Sequence, residues 1–201
     1  MPTAGIHLCV AKSLLQKKKI NEKLFFLGNI APDSWRNSTS TKDGSHFQVN
    51  KKIHYDEFYK KYKDKLDNPF VYGYLTHLIT DYYWYGNNLS TVNEKYENKE
   101  IYEKERDAFV SKLLRLYEIN PLDKIDDNFD NPIEELETIG INKTIEYINK
   151  NSFYKNNIKL NIFKIKETID DIQKTVQYIE EEIKRLGGEY EFNFDSSHRE
   201  K

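Results

Sequence analysis

PFVYGYLTHLITDYYWY, residues 69 to 85, is apolar or aromatic on nearly every face of a helix, and Asp81 is its only formally charged residue. A helix that is hydrophobic all round belongs in the middle of a fold, covered by its neighbours. Asn68 and Pro69 supply a cap and a first-turn proline ahead of it. The remaining segments are therefore read as elements that wrap this one.

On the N-terminal side, Leu8, Ala11, Leu14 and Leu15 recur at helical spacing and predict a helix over residues 5–18. Asn21 caps a second through Leu24, Phe25 and Leu27, which Pro32 is expected to end. Residues 36–45 (RNSTSTKDGS) are polar and aperiodic, a surface loop. Ile53 to Leu66 reads as a helix with Phe58 and Tyr62 on one side. On the C-terminal side, Phe109, Val110, Leu113, Leu114 and Tyr117 mark an amphipathic helix over 99–117, followed by a loop over 120–132. Short helices are expected at 132–139 and 141–150. Ile165, Ile169, Ile172, Val176, Ile179, Ile183 and Leu186 alternate by four and three until Gly187-Gly188 stops them. That seam reads as a contact within the bundle, with a homodimer through the C-terminal helix as the alternative. No segment reads as a strand. The expectation is an all-α, multi-helix bundle: one helical domain over 1–188, with a first half to residue 90 and a completing half from 91, then a tail over 189–201.

Composition narrows the function classes. A formal charge of -2 argues against a general nucleic-acid binder, which needs a basic surface. The lone Cys9 excludes an internal disulfide and any cysteine-based zinc site. Leu8 to Leu15 is short and precedes its basic cluster at Lys17–Lys19, so it does not read as a signal peptide. No stretch approaches the roughly 20 apolar residues of a membrane span. A cytoplasmic location is expected.

His77 and Asp81 stand four apart and project from one face of the central helix. A carboxylate in apolar surroundings is costly unless its charge is compensated. A zinc or similar divalent ion held by both side chains would do that; a simple His–Asp hydrogen bond is the alternative. His7 falls on the apolar side of the first helix, Asp33 follows Pro32 at the end of the second, and His46 ends the polar loop before Phe47. Three histidines and two aspartates at element ends or on buried faces suit a site for one or two metal ions. His54, beside Lys51 and Lys52, is expected to be exposed, the run from Glu94 to Arg106 to be a solvated helix face, and Tyr82 to Tyr85 and Trp35 to be core, with a cleft lining as the alternative.

Met1-Pro2-Thr3 with His7, Gly28 through Pro32-Asp33, His46-Phe47, and Gly73-Tyr74-Leu75-Thr76-His77-Leu78-Ile79-Thr80-Asp81 together resemble the zinc-dependent phospholipase C family, a relative of the S1/P1-type nucleases. The resemblance covers about residues 1 to 90. It implies an all-α fold and hydrolysis of phosphodiesters at clustered zinc ions. It further implies that His46, His77, Asp81 and Asp33 hold a first zinc, that Asp81 bridges to a second held with His7, and that Asp33 doubles as the catalytic base. Pro2 would offer its amine as a further ligand once Met1 is removed. The family's full three-metal site needs later His and Glu ligands, and no histidine occurs between His77 and His198, so that subsite is expected to be absent. The leading expectation is a phospholipase C-like hydrolase of a phosphodiester or phospholipid-like substrate. Its rivals are a helical interaction protein that kept the fold without the chemistry, and a nuclease, which the acidic charge disfavours.

Overall fold

A computed structural model describes residues 2–15, 20–92, 98–126, 129–153 and 158–187. The tail over 189–201, with His198, and the Lys17–Lys19 cluster lie outside the described residues. The protein is all-α. Its elements run α1 (Ala4–Leu15), α2 (Glu22–Ile30), a 3-10 helix (Ala31–Asn37), α3 (Lys42–Ser45), the hairpin β1 (Gln48–Val49) and β2 (Lys52–Ile53), α4 (Tyr55–Tyr62), α5 (Pro69–Gly86), α6 (Lys99–Leu116), α7 (Thr138–Ser152) and α8 (Ile165–Arg185).

The central segment is α5. Every residue from Phe70 to Asp81 is buried, as is Trp84. Asn68 caps it by accepting a hydrogen bond from Phe70 N, and Pro69 occupies the first turn, where its missing N–H costs nothing. α2 lies closest to it, and two glycines set that approach. A Cβ on Gly28 would sit 1.9 Å from the carbonyl oxygen of Phe70, and one on Gly73 would sit 2.2 Å from that of Phe25. Only residues without a side chain allow two helix backbones so near. Around this pair, α1 packs on α2, α6 and α8, α4 and α8 pack on α5, and α7 packs on the 3-10 helix. On α8 the seam residues Ile172, Val176, Ile179 and Ile183 are buried against the chain's own core.

α1 is described to Leu15; the last expected residues of that helix, 16–18, lie outside the described residues. Several other expectations need correction. α2 ends at Ile30, just ahead of Pro32 as expected, but instead of entering a loop the chain tightens into the 3-10 helix, with Pro32 in its first turn. The loop over 36–45 contains α3, which Thr41 caps by accepting a hydrogen bond from Gly44 N. The fourth helix starts at Tyr55, with His54 half-buried at its cap. A two-residue turn at Asn50 and Lys51, both with positive φ, closes a hairpin where no strand was expected. The two short helices expected at 132–139 and 141–150 are replaced by one helix, α7. Within the charged run, Glu105 is buried and its carboxylate accepts from Asn161 N and Ile162 N at 2.8 and 2.9 Å; residues 93–97 lie outside the described residues.

The close contact of α2 and α5 gives the first prediction. Gly73→Ala should lower the unfolding free energy in urea by about 3 kcal/mol through overpacking. Gly86→Ala, where a Cβ meets nothing within 4 Å, should be neutral or stabilising by up to about 1 kcal/mol.

Candidate metal centre

Five residues from four elements converge on one point. His7 comes from α1, Asp33 from the 3-10 helix, His46 from the residue ending α3, and His77 and Asp81 from α5. His7, His46, His77 and Asp81 are at most 2% exposed as residues, while the Asp33 side chain keeps 21% of its surface. Asp81 is the hub: Oδ1 lies 3.3 Å from His7 Nε2, and Oδ2 lies 3.6 Å from His46 Nε2 and 3.7 Å from His77 Nε2. Asp33 Oδ1 lies 3.7 Å from His46 Nε2. The imidazoles of His7 and His77 stack at 3.8 Å, and that of His46 meets His77 edge-on at 5.3 Å.

Hydrogen bonding fixes which nitrogens carry protons. His77 Nδ1 is 2.7 Å from the carbonyl oxygen of Asn29, in the last turn of α2. A carbonyl only accepts, so Nδ1 is the N–H donor and Nε2 of the neutral ring holds a lone pair. His46 Nδ1 is 2.9 Å from Ser45 Oγ, whose own hydroxyl donates to the Lys42 carbonyl at 3.2 Å. That hydroxyl therefore accepts from His46 Nδ1, and His46 Nε2 also holds a lone pair when neutral. Tyr74 O–H donates to the Ser45 carbonyl and ties this corner to α5.

The result is a buried concentration of acceptors. Among the described residues, His46 Nε2, His77 Nε2 and Asp81 Oδ1 have no hydrogen-bond partner. Lone pairs on two rings thus face a carboxylate oxygen at 3.6 and 3.7 Å, an arrangement that is costly without a cation. The spacing suits one. A tetrahedral ion bound at about 2.0–2.1 Å keeps its ligand atoms about 3.4 Å apart, close to the 3.3–3.7 Å separations here. Among the described residues, two groups have ligand atoms within 4.8 Å of one another: His7, His77 and Asp81, and Asp33, His46 and His77.

Electrostatics agree. Burial, then the charge of His7, hold the His77 ring neutral and push its pKa down to about 3. Burial alone would raise both carboxyls, but the imidazoles beside them outweigh it and hold Asp33 and Asp81 below the usual carboxylate range, His46 acting chiefly on Asp33 and His7 chiefly on Asp81.

Asp33 also opens on a cleft of about 450 Å³ that Arg36, Arg106 and Tyr147 help to line. Of the aromatic residues expected in the core, Trp84 is buried and donates from Nε1 to Thr175 Oγ1 at 3.0 Å, and Trp35 and Tyr83 are half-buried. Tyr82 and Tyr85 are instead exposed, lining with Lys51 and Lys52 a cleft separate from the one at Asp33. The sequence reading brought all five cluster residues forward and missed Asn29, Ser45 and the two arginines. Ser45 is adjacent to His46 and so discoverable; Asn29 acts through its backbone and leaves no side-chain signal.

Fold and cluster together define an all-α protein built around a buried His/Asp centre that can hold a metal ion. The chain belongs to the zinc-dependent phospholipase C family, whose description, zinc dependent phospholipase C, matches residues 6–179. That match runs well past the first ninety residues, through α7 and most of α8. No curated protein and no solved structure matches the chain.

In metal-free protein the His77 ring should stay neutral at pH 5 in nitrogen-detected NMR, since its pKa falls from 6.5 to about 3. Between those values the unfolded chain takes up a proton that the folded chain refuses, so stability should fall as pH drops through this window. A ring already charged at pH 5 would contradict the assigned geometry.

Proposed function

We propose that the protein is a zinc-dependent hydrolase of phosphodiester bonds, acting on a phospholipid-like substrate. His46, His77, Asp81 and Asp33 would hold a first zinc ion, and His7, which faces the other oxygen of Asp81, would serve a second. Bound zinc supplies Lewis acidity, lowering the pKa of water and offsetting charge on phosphoryl oxygens. The chain's own residues do the rest. Asn29 and Ser45 hold the two rings with their Nε2 lone pairs inward. α5 excludes bulk water around Asp81. Asp33, ionised and open to the cleft, takes the proton from the attacking water.

The observation that carries this reading is the pair of partnerless imidazole nitrogens facing a buried carboxylate. It also favours the hydrolase over a helical interaction protein without chemistry, because such a protein would gain nothing from the unpaired acceptors. Among the described residues no helix is long and apolar enough to cross a membrane.

Protein purified without a histidine tag should carry zinc at near-stoichiometric level and cleave bis(p-nitrophenyl) phosphate in a chelator-sensitive way. Asp81→Asn should cut zinc-dependent turnover by at least about a hundredfold. Turnover indifferent to chelator and to this substitution would refute the assignment.

A further inference from the structure

The cleft beside Asp33 has a chemical character of its own. It is walled by the N-terminal end of α1 through Thr3, by Arg36 of the 3-10 helix, by Arg106 of α6, and by Thr144 and Tyr147 of α7. Its volume of about 450 Å³ falls in the range of small-molecule sites.

Among the described lining residues Asp33 is the only carboxylate, and Arg36 and Arg106 are the cations. Arg106 is held in place: Nε and Nη2 donate to Asp107 Oδ1 at 3.1 and 2.9 Å, and Nη2 approaches Tyr147 Oη at 3.4 Å. Asp107 does not line the cleft. Arg36 lies over the Trp35 ring at 5.4 Å and is exposed. Thr3 Oγ1 is buried without a hydrogen-bond partner, and the first turn of α1 holds no acidic residue. The positive end of that helix therefore adds to the two guanidiniums instead of being neutralised.

A quaternary ammonium group needs aromatic faces or free carboxylates. Among the described lining residues it would find one tyrosine, whose hydroxyl sits against Arg106, and one aspartate, which faces His46 in the metal cluster. A planar guanidinium pair suits phosphate or carboxylate instead.

We propose that this cleft is the headgroup pocket and that it takes a substrate whose far end is anionic, a phosphate- or carboxylate-bearing group, while excluding a trimethylammonium group. This rests on the hydrolase reading and adds the substrate class to it. Arg36 and Arg106 are specificity-determining residues that contact the distal anion; neither takes part in breaking the bond.

The test uses the full chain loaded with zinc and titrated calorimetrically with phosphoglycolate and with phosphocholine. Both present a phosphate to the metal and differ in the charge of the other end. Phosphoglycolate should bind at least about tenfold more tightly, and Arg36→Gln/Arg106→Gln should bring the ratio to within about threefold. Arg36→Gln alone, at an exposed position, should lower the ratio part of the way and guards against a double variant that fails to fold. Displacement of phosphoglycolate by vesicles of phosphatidylinositol 4-phosphate, but not by phosphatidylcholine vesicles, assigns the anion to a lipid headgroup; displacement by neither assigns it to a soluble ester. Equal binding, a preference for phosphocholine, no binding of either compound, or a ratio untouched by the substitutions would overturn the proposal. Chelator-sensitive diester cleavage alongside a failed ratio would sink the pocket alone. A sound ratio without zinc or turnover would sink the hydrolase reading alone.

Discussion

A negative charge buried between lone pairs is the constraint on which this protein turns. Asp81 is 2% exposed, and the nitrogens that face its Oδ2 from His46 and His77 have their protons on the opposite side of each ring. Left alone, that arrangement would cost several kcal/mol of desolvation with little returned. It is tolerated because the surrounding structure over-determines it. Gly28 and Gly73 bring α2 against α5, which puts the Asn29 carbonyl within 2.7 Å of His77 Nδ1. A bulkier residue at either glycine would separate the backbones, loosen that hydrogen bond and free the ring to turn.

The two halves of the chain divide the work. The first half supplies all five residues of the cluster. The second half determines what reaches them: α7 packs on the 3-10 helix that carries Asp33, with Gly140 against the Ser34 carbonyl, and provides one wall of the cleft. α8 closes over the far end of α5, where Thr175 receives the indole hydrogen bond of Trp84. The family match over residues 6–179 fits this dependence, since the cluster would lose its cleft without α6 and α7.

Legibility in the sequence followed burial and period. α5 was readable because an all-apolar helix with one carboxylate has few structural explanations, and α8 because its seam repeats over several turns. His7, Asp33, His46, His77 and Asp81 were readable as polar residues on apolar faces or at element ends, ordered as in a recognisable family. Local backbone choices were harder to see. Asn50 and Lys51 form a turn without glycine, and residues 132–137 carry an apolar pattern yet stay outside α7. The cleft was invisible for a different reason: Thr3, Arg36, Arg106 and Tyr147 come from the segment before α1 and from three separate elements and share no spacing, so only the packed structure brings them together.

The central claim is that a cation belongs between these acceptors, and a crystal of the full chain measured at the zinc absorption edge tests it most directly. The account predicts an anomalous peak about 2.0–2.2 Å from His46 Nε2, His77 Nε2 and an oxygen of Asp81. An ordered structure with no peak there, and with the Asp81 carboxylate turned to solvent or paired with a lysine or arginine, would contradict it.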